Sequence, residues 1–348
     1  MTPQPSLFIS HGGGPCFFMD WDPPHTWAAL GAALQSLPDT LPARPRAVLW
    51  VSAHWEAPAF AVTGQSQPSL IYDYHGFPPH TYTLQYPAPG DPVLAARVVD
   101  LLQRAGLPAR VDPTRGFDHG VFVPGLLMFP AADLPMVQLS LRADLDVAAH
   151  LACGAALAPL RDEGVLIIGS GYSYHNLRRF AAAGTVPAQQ FDAWLQDTVA
   201  GQVGAARQAR LQAWAQAPSA REAHPREEHL LPLMVAAACF FVPVAANAAP
   251  RLLVHRVQRP LQDVGGGHLV DDFAPALAGH VGFLDQHTLD GGCRQAFVPK
   301  GDGDVDVLLE LDQAFPVVGY GAVPNTLELD TETVLESRRQ GLEVIAVH

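Results

Sequence analysis

Val165-Leu-Ile-Ile-Gly-Ser-Gly-Tyr-Ser-Tyr-His175 starts as a short apolar run, breaks at glycine and serine, and ends on a histidine. Two other stretches follow the same pattern. Ser6-Leu-Phe-Ile-Ser10 runs into His11-Gly-Gly-Gly14, and Ala47-Val-Leu-Trp-Val-Ser52 runs into Ala53-His54-Trp55. Apolar runs of this length bounded by Gly or Ser read as buried strands. Open α/β sheets bind ligands just outside the carboxyl ends of their strands. If these three strands are parallel neighbours, their imidazoles meet in one crevice, as a metal or proton-transfer site requires.

Further strands are expected near 60–63 and over 135–141. Helical patterns cover 27–35, 93–105, 144–160 and 191–214, and another begins near His229. Asp91-Pro92 supplies an N-cap and a first-turn proline, and Gly106 ends that helix. The alternation predicts an α/β fold: one large domain with a central, mostly parallel sheet flanked by helices. Residues 65–92, rich in Pro, Tyr and His without a period, read as a long functional loop that shapes a pocket.

The 348 residues are 49% hydrophobic, enough for a full core, and carry a net charge of −13. That charge excludes a sequence-independent nucleic-acid binder, which needs clustered Lys and Arg. The apolar run 230–246 is interrupted by Pro232 and Pro243, so a buried helix is expected there and no membrane span. The first residues lack the basic and apolar regions of a signal peptide. Four cysteines (Cys16, Cys153, Cys239, Cys293) show no paired spacing, which predicts reduced thiols and a cytoplasmic protein. The oligomeric state is not legible.

Five histidines stand near turns. His11 precedes three glycines, which let backbone and ligand approach closely; it also reads as incidental to a tight turn. His54 is either a site residue or a core histidine bonded to backbone. His119 lies in Asp118-His119-Gly120, and glycines upstream of His175 read as a sharp turn that aims its ring. His229 closes His224-Pro-Arg-Glu-Glu-His229, where Glu227 and Glu228 also have a helix-dipole explanation. No H-E-x-x-H, Cys-x-x-Cys, P-loop, dinucleotide fingerprint or nucleophile elbow is present. The balance favours a histidine-rich mononuclear metal site over nucleotide or covalent chemistry.

Ser10-His-Gly-Gly-Gly-Pro15, Ser52-Ala-His-Trp55, Tyr72-Asp-Tyr-His-Gly-Phe-Pro78, Tyr86-Pro-Ala-Pro-Gly90, Gly116-Phe-Asp-His-Gly-Val-Phe-Val-Pro124, Gly169-Ser-Gly-Tyr-Ser-Tyr-His-Asn-Leu177 and His224-Pro-Arg-Glu-Glu-His229 occur in order. Together they resemble the class III extradiol ring-cleavage dioxygenases, in their 4,5-DOPA dioxygenase branch, over about residues 5–240. The resemblance implies metal ligation by His11, His54 and His229, with Glu228 as the reserve ligand. It implies His175 as acid/base, close to the metal, and His119 as a second pocket histidine. Fe(II) is the implied active metal, Zn(II) a possible bound one, O2 the co-substrate and a small catechol the substrate. A zinc-dependent hydrolase and a non-catalytic member of the family are the alternatives.

Two departures stand out. Gly125 replaces a usual leucine. Beyond about Cys239 the text turns unfamiliar, and 246–348 holds 15 of the 34 acidic residues but only 7 of the 21 basic ones. The expected organisation is a catalytic domain over 1–245 and an acidic extension over 246–348. Its origin is an appended segment or a reading-frame change, the latter suggested by a single Lys among 21 basic residues.

Overall fold

The computed structural model describes residues 2–180 and 182–239, together with the strands Leu252–Arg256 and Glu343–Val347. Six strands form the main sheet: β1 (Ser6–Ser10), β2 (Ala47–Ala57), β3 (Phe60–Thr63), β4 (Ala109–Asp112), β5 (Met136–Arg142) and β6 (Val165–Gly171). Their order is β1-β6-β2-β5-β3-β4. All pairings are parallel except β3 with β5, which meet antiparallel at Val62 and Leu139. The three strands that deliver histidines are therefore adjacent and parallel, as the sequence predicts. Leu252–Arg256 and Glu343–Val347 pair in parallel as a separate two-stranded sheet. The rest of the expected 246–348 extension lies outside the described residues.

Alternation along each strand splits the core in two. One face carries Phe8, Leu49, Val51, Leu139 and Ile167; the other carries Leu7, Ile9, Trp50, Met136 and Ile168. Nine helices occur among the described residues: α1 (Ala28–Ser36), α2 (Pro92–Arg104), α3 (His119–Met128), α4 (Val147–Leu157), α5 (Pro159–Asp162), α6 (Thr185–Val199), α7 (Gly204–Gln212), α8 (Ala220–Ala223) and α9 (Leu231–Ala238). Helices α2, α4, α6 and α9 cover the first face, and α1 and α3 the second. Both faces of a parallel sheet are thus buried, which explains the unbroken apolar strands. Every residue of α9 is buried, and none of the described helices is long and apolar enough to cross a membrane.

The Asp91 cap is present, its side chain accepting from Leu94 N at 2.9 Å, with Pro92 opening α2. The helix expected over 144–160 is shorter. Asp146 caps it through Ala148 N and Ala149 N, and Pro159 starts a separate turn. The helix expected over 191–214 is two helices, separated at 200–203 and resumed at Gly204, whose φ of +56° is left-handed.

Candidate metal centre

His11 follows the last residue of β1, and Gly12 turns the chain with φ +79°. Ser170, on neighbouring β6, donates its hydroxyl proton to Gly120 O. It therefore accepts from His11 Nδ1–H, at 3.0 Å. That bond fixes the tautomer and leaves the Nε2 lone pair facing the crevice.

His54 departs from expectation. It does not follow the end of its strand but lies inside β2. The ladder to β5 jumps from Val51–Leu139 to Glu56–Leu141, so 52–55 bulge out of register. Bulges of this kind re-aim side chains beside sites. Ser52 Oγ holds the bulge, accepting from His54 N at 3.1 Å and donating to Asp118 Oδ1 at 2.7 Å. Arg115 donates to His54 O and Asp118 Oδ2, both at 3.3 Å.

His229 precedes α9. Its carbonyl accepts from Tyr172 N at 2.9 Å, just past β6. A Cβ on Gly171 would stand 2.1 Å from that carbonyl, and one on Gly169 2.3 Å from Pro232 O. These glycines lie within β6 and admit the backbone of His229 and of the first turn of α9; they do not form the sharp turn expected of them. Three more bonds tie the two segments: His175 N to Ala223 O, Asn176 Nδ2 to Glu222 O and His224 Nε2 to Ser173 O.

One ligand atom each from His11, His54 and His229 lie within 4.8 Å of one another. His11 Nε2 and His54 Nε2 are 3.1 Å apart. Two nitrogens each about 2.1 Å from one ion, at angles of about 90 to 110°, are separated by about 3.0 to 3.4 Å. Burial, then the surrounding histidines, holds both His11 and His229 well below the usual imidazole range, in the neutral form that ligates. The donor set therefore fits a divalent metal.

The other two histidines flank the triad. His175 stacks on His229 with centroids 3.4 Å apart and planes at 20°. Its Nδ1 is 3.2 Å from Glu228 Oε1, which also lies 2.9 Å from His229 Nδ1. His119 opens α3 and lies 4.0 Å from His54, centroid to centroid. Its Nδ1 is 2.8 Å from Asp73 Oδ1, and its backbone N donates to the same oxygen at 3.0 Å. Burial works against charge on His119, but the Asp73 carboxylate outweighs it and raises the imidazole above its ordinary value. Asp73 sits in the 65–92 loop, where Tyr74, buried, donates to Thr81 O and packs edge-on to His119.

All five sequence-nominated histidines thus meet in one crevice. Asp73 and Ser170 carry no role in the sequence reading, although both sit inside quoted motifs. Asp73 between two tyrosines was the available signal. At Gly125, an added Cβ would approach the Tyr86 ring to 2.8 Å, so the missing side chain makes room for that ring.

Residues 6–241 match the family described as the catalytic LigB subunit of aromatic ring-opening dioxygenase. The chain is 39% identical over 259 residues to "Dioxygenase tasH" of Hapsidospora irregularis, covering 67% of this chain and 77% of that one. It is 43% identical over 197 residues to a 4,5-DOPA dioxygenase extradiol of Beta vulgaris (56% and 72% covered). It is 37% identical over 238 residues to the protein of that name in Escherichia coli K12 (67% and 84%). The crystal structure of an uncharacterized protein, JW3007, from Escherichia coli K12 superposes with TM-score 0.55 at 34% identity, covering 68% of this chain and 88% of that one.

Proposed function

The chain belongs to the LigB family of aromatic ring-opening dioxygenases, and from that premise we propose that it is a metal-dependent class III extradiol dioxygenase that opens a small catechol beside its two hydroxyls. The observation that carries this reading is the convergence of His11, His54 and His229 within 4.8 Å. These three hold the metal, while His175 and His119 stay free of it and face the substrate. Fe(II) with open coordination positions would relay electrons between catechol and O2, whose direct reaction is slow. His175, fixed by its stack on His229 and by Glu228, takes the proton of a catechol hydroxyl and returns it as the ring opens. His119, held by Asp73, presents Nε2 to an oxygen of the bound reactants and stabilises charge there.

The relatives named for 4,5-DOPA favour a catechol bearing an amino-acid or carboxylate side chain. The three described cysteines form no disulfide with one another, which fits a cytoplasmic protein. Residues 1–245 form the catalytic unit on this reading and 246–348 an added segment or the product of a frame change.

One observation favours a second reading. Three imidazoles also make a hydrolytic zinc site. An oxygen electrode separates the two. The full-length protein loaded with Fe(II) should consume O2 with a catechol and form a yellow ring-opened product. Metal-dependent ester or amide hydrolysis without oxygen uptake would favour the zinc hydrolase. Intact, metal-loaded protein with neither activity would make it a non-catalytic member.

A further inference from the structure

Two carboxylates stand behind the histidines, and each touches one histidine of each kind. Asp73 Oδ1 accepts from His119 Nδ1 and His119 N, while its Oδ2 is 3.7 Å from His54 Nδ1. Glu228 Oε1 lies 2.9 Å from His229 Nδ1 and 3.2 Å from His175 Nδ1. So each carboxylate joins a histidine of the triad to a histidine outside it. The two groupings draw on five separate parts of the chain: a loop, β2 and α3 on one side, the segments after β6 and before α9 on the other.

We propose that Asp73 and Glu228 are paired positioning residues, each coupling a metal-binding histidine to its neighbouring proton-handling or oxygen-facing histidine, and that neither is itself a ligand. The roles of the histidines in this statement rest on the proposed function. The geometry carries the rest. A group bonded to Nδ1 lies on the far side of the imidazole from Nε2, so it cannot share an ion held at Nε2. One oxygen of each carboxylate is held by imidazole, Asp73 Oδ1 by His119 and Glu228 Oε1 by His229 and His175, while Glu228 Oε2 makes no hydrogen bond and faces the Arg226 guanidinium at 3.4 Å. A carboxylate on Nδ1–H fixes the tautomer and increases the basicity of the ligating nitrogen. Glu228 Oε1 lies within hydrogen-bond distance of both its rings, so movement of one disturbs the other; Asp73 hydrogen-bonds His119 and faces His54 as a charge 3.7 Å away. Glu228, the reserve ligand of the sequence reading, is thereby assigned a different task.

The alternative is that these atoms are ion sites themselves. His54, Asp73 and His119, and likewise His175, Glu228 and His229, each offer three donor atoms within 4.8 Å. The experiment distinguishes these. Full-length protein is stripped with a chelator, and Zn(II) binding is measured by competition with a chromophoric chelator for wild type, Asp73→Ala and Glu228→Ala. Folding is checked by circular dichroism. If either alanine variant fails to fold, Asp73→Asn and Glu228→Gln replace them.

One ion per chain is expected throughout, with affinity about 10- to 100-fold weaker in each variant. Histidine-selective 15N spectra of the Zn(II)-loaded protein supply the second readout. Asp73→Ala should perturb the Nδ1 signals of His54 and His119 and spare those of His175 and His229; Glu228→Ala should do the reverse. Unchanged affinity in folded variants would overturn the proposal. So would a second bound ion that either variant loses, or spectra in which all four rings change together. Wild type that shows this coupling yet opens no catechol would defeat the functional reading alone.

Discussion

Ser170 Oγ and His11 Nδ1 are 3.0 Å apart, and because the hydroxyl proton goes to Gly120 O, the histidine must be the donor. One buried serine therefore decides which nitrogen of His11 faces the crevice. Ser170→Ala removes that control while changing little volume. Metal affinity is expected to fall about 10- to 100-fold, with the fold retained, as read by chelator competition and circular dichroism.

The triad and the flanking histidines should separate by their losses. His229→Ala should lose metal and activity together. His175→Ala should keep one ion per chain and lower kcat about 100- to 10,000-fold, the usual range for a positioned acid/base. Metal content by elemental analysis and oxygen uptake on the same preparations check this.

Gly171 offers a test of local packing. An alanine there would place its Cβ 2.1 Å from His229 O. Backbone must move, so Gly171→Ala is expected to cost about 1 to 3 kcal/mol of stability and to weaken metal binding by displacing His229. Urea unfolding with and without Zn(II) measures both effects. Gly106→Ala, where nothing lies within 4 Å of an added Cβ but φ is +75°, controls for glycine loss without that collision.

His224 sets a pH dependence of stability. It is buried against Phe191 and Trp214, and its Nε2 donates to Ser173 O at 2.9 Å. Burial pulls its pKa from 6.5 down to about 4. The folded state therefore holds the neutral ring where the unfolded chain takes a proton. Its contribution is fully present above about pH 6.5 and is lost as pH falls toward 4, up to about 3 kcal/mol. Urea midpoints at pH 7.5 and 5 should differ less in His224→Gln than in wild type.

What the sequence made legible follows from periodicity. Ser6–Ser10, Ala47–Ser52 and Val165–Ile168 are apolar because helices cover both faces of the sheet, so the strands and their shared exit could be read directly. The bulge at 52–55 could not: His54 is still in a strand, and only pairing with β5 shows that the ladder slips there. The break before Gly204 was masked by helix-favouring Ala and Gln on both sides. Gly169 and Gly171 looked like turn formers, but their reason is the approach of 229–232, distant in sequence. Asp73 was missed because its partners His54 and His119 belong to other segments, and nothing local marks a carboxylate that serves them.

The most direct test is the position of a metal in crystals of the full-length protein grown with Fe(II) or Zn(II), located by anomalous scattering. One peak bonded to His11, His54 and His229 through Nε2, at about 2.0 to 2.2 Å, is the expected result. A peak bonded to Asp73 or Glu228, or none between the three histidines at saturating metal, would contradict it.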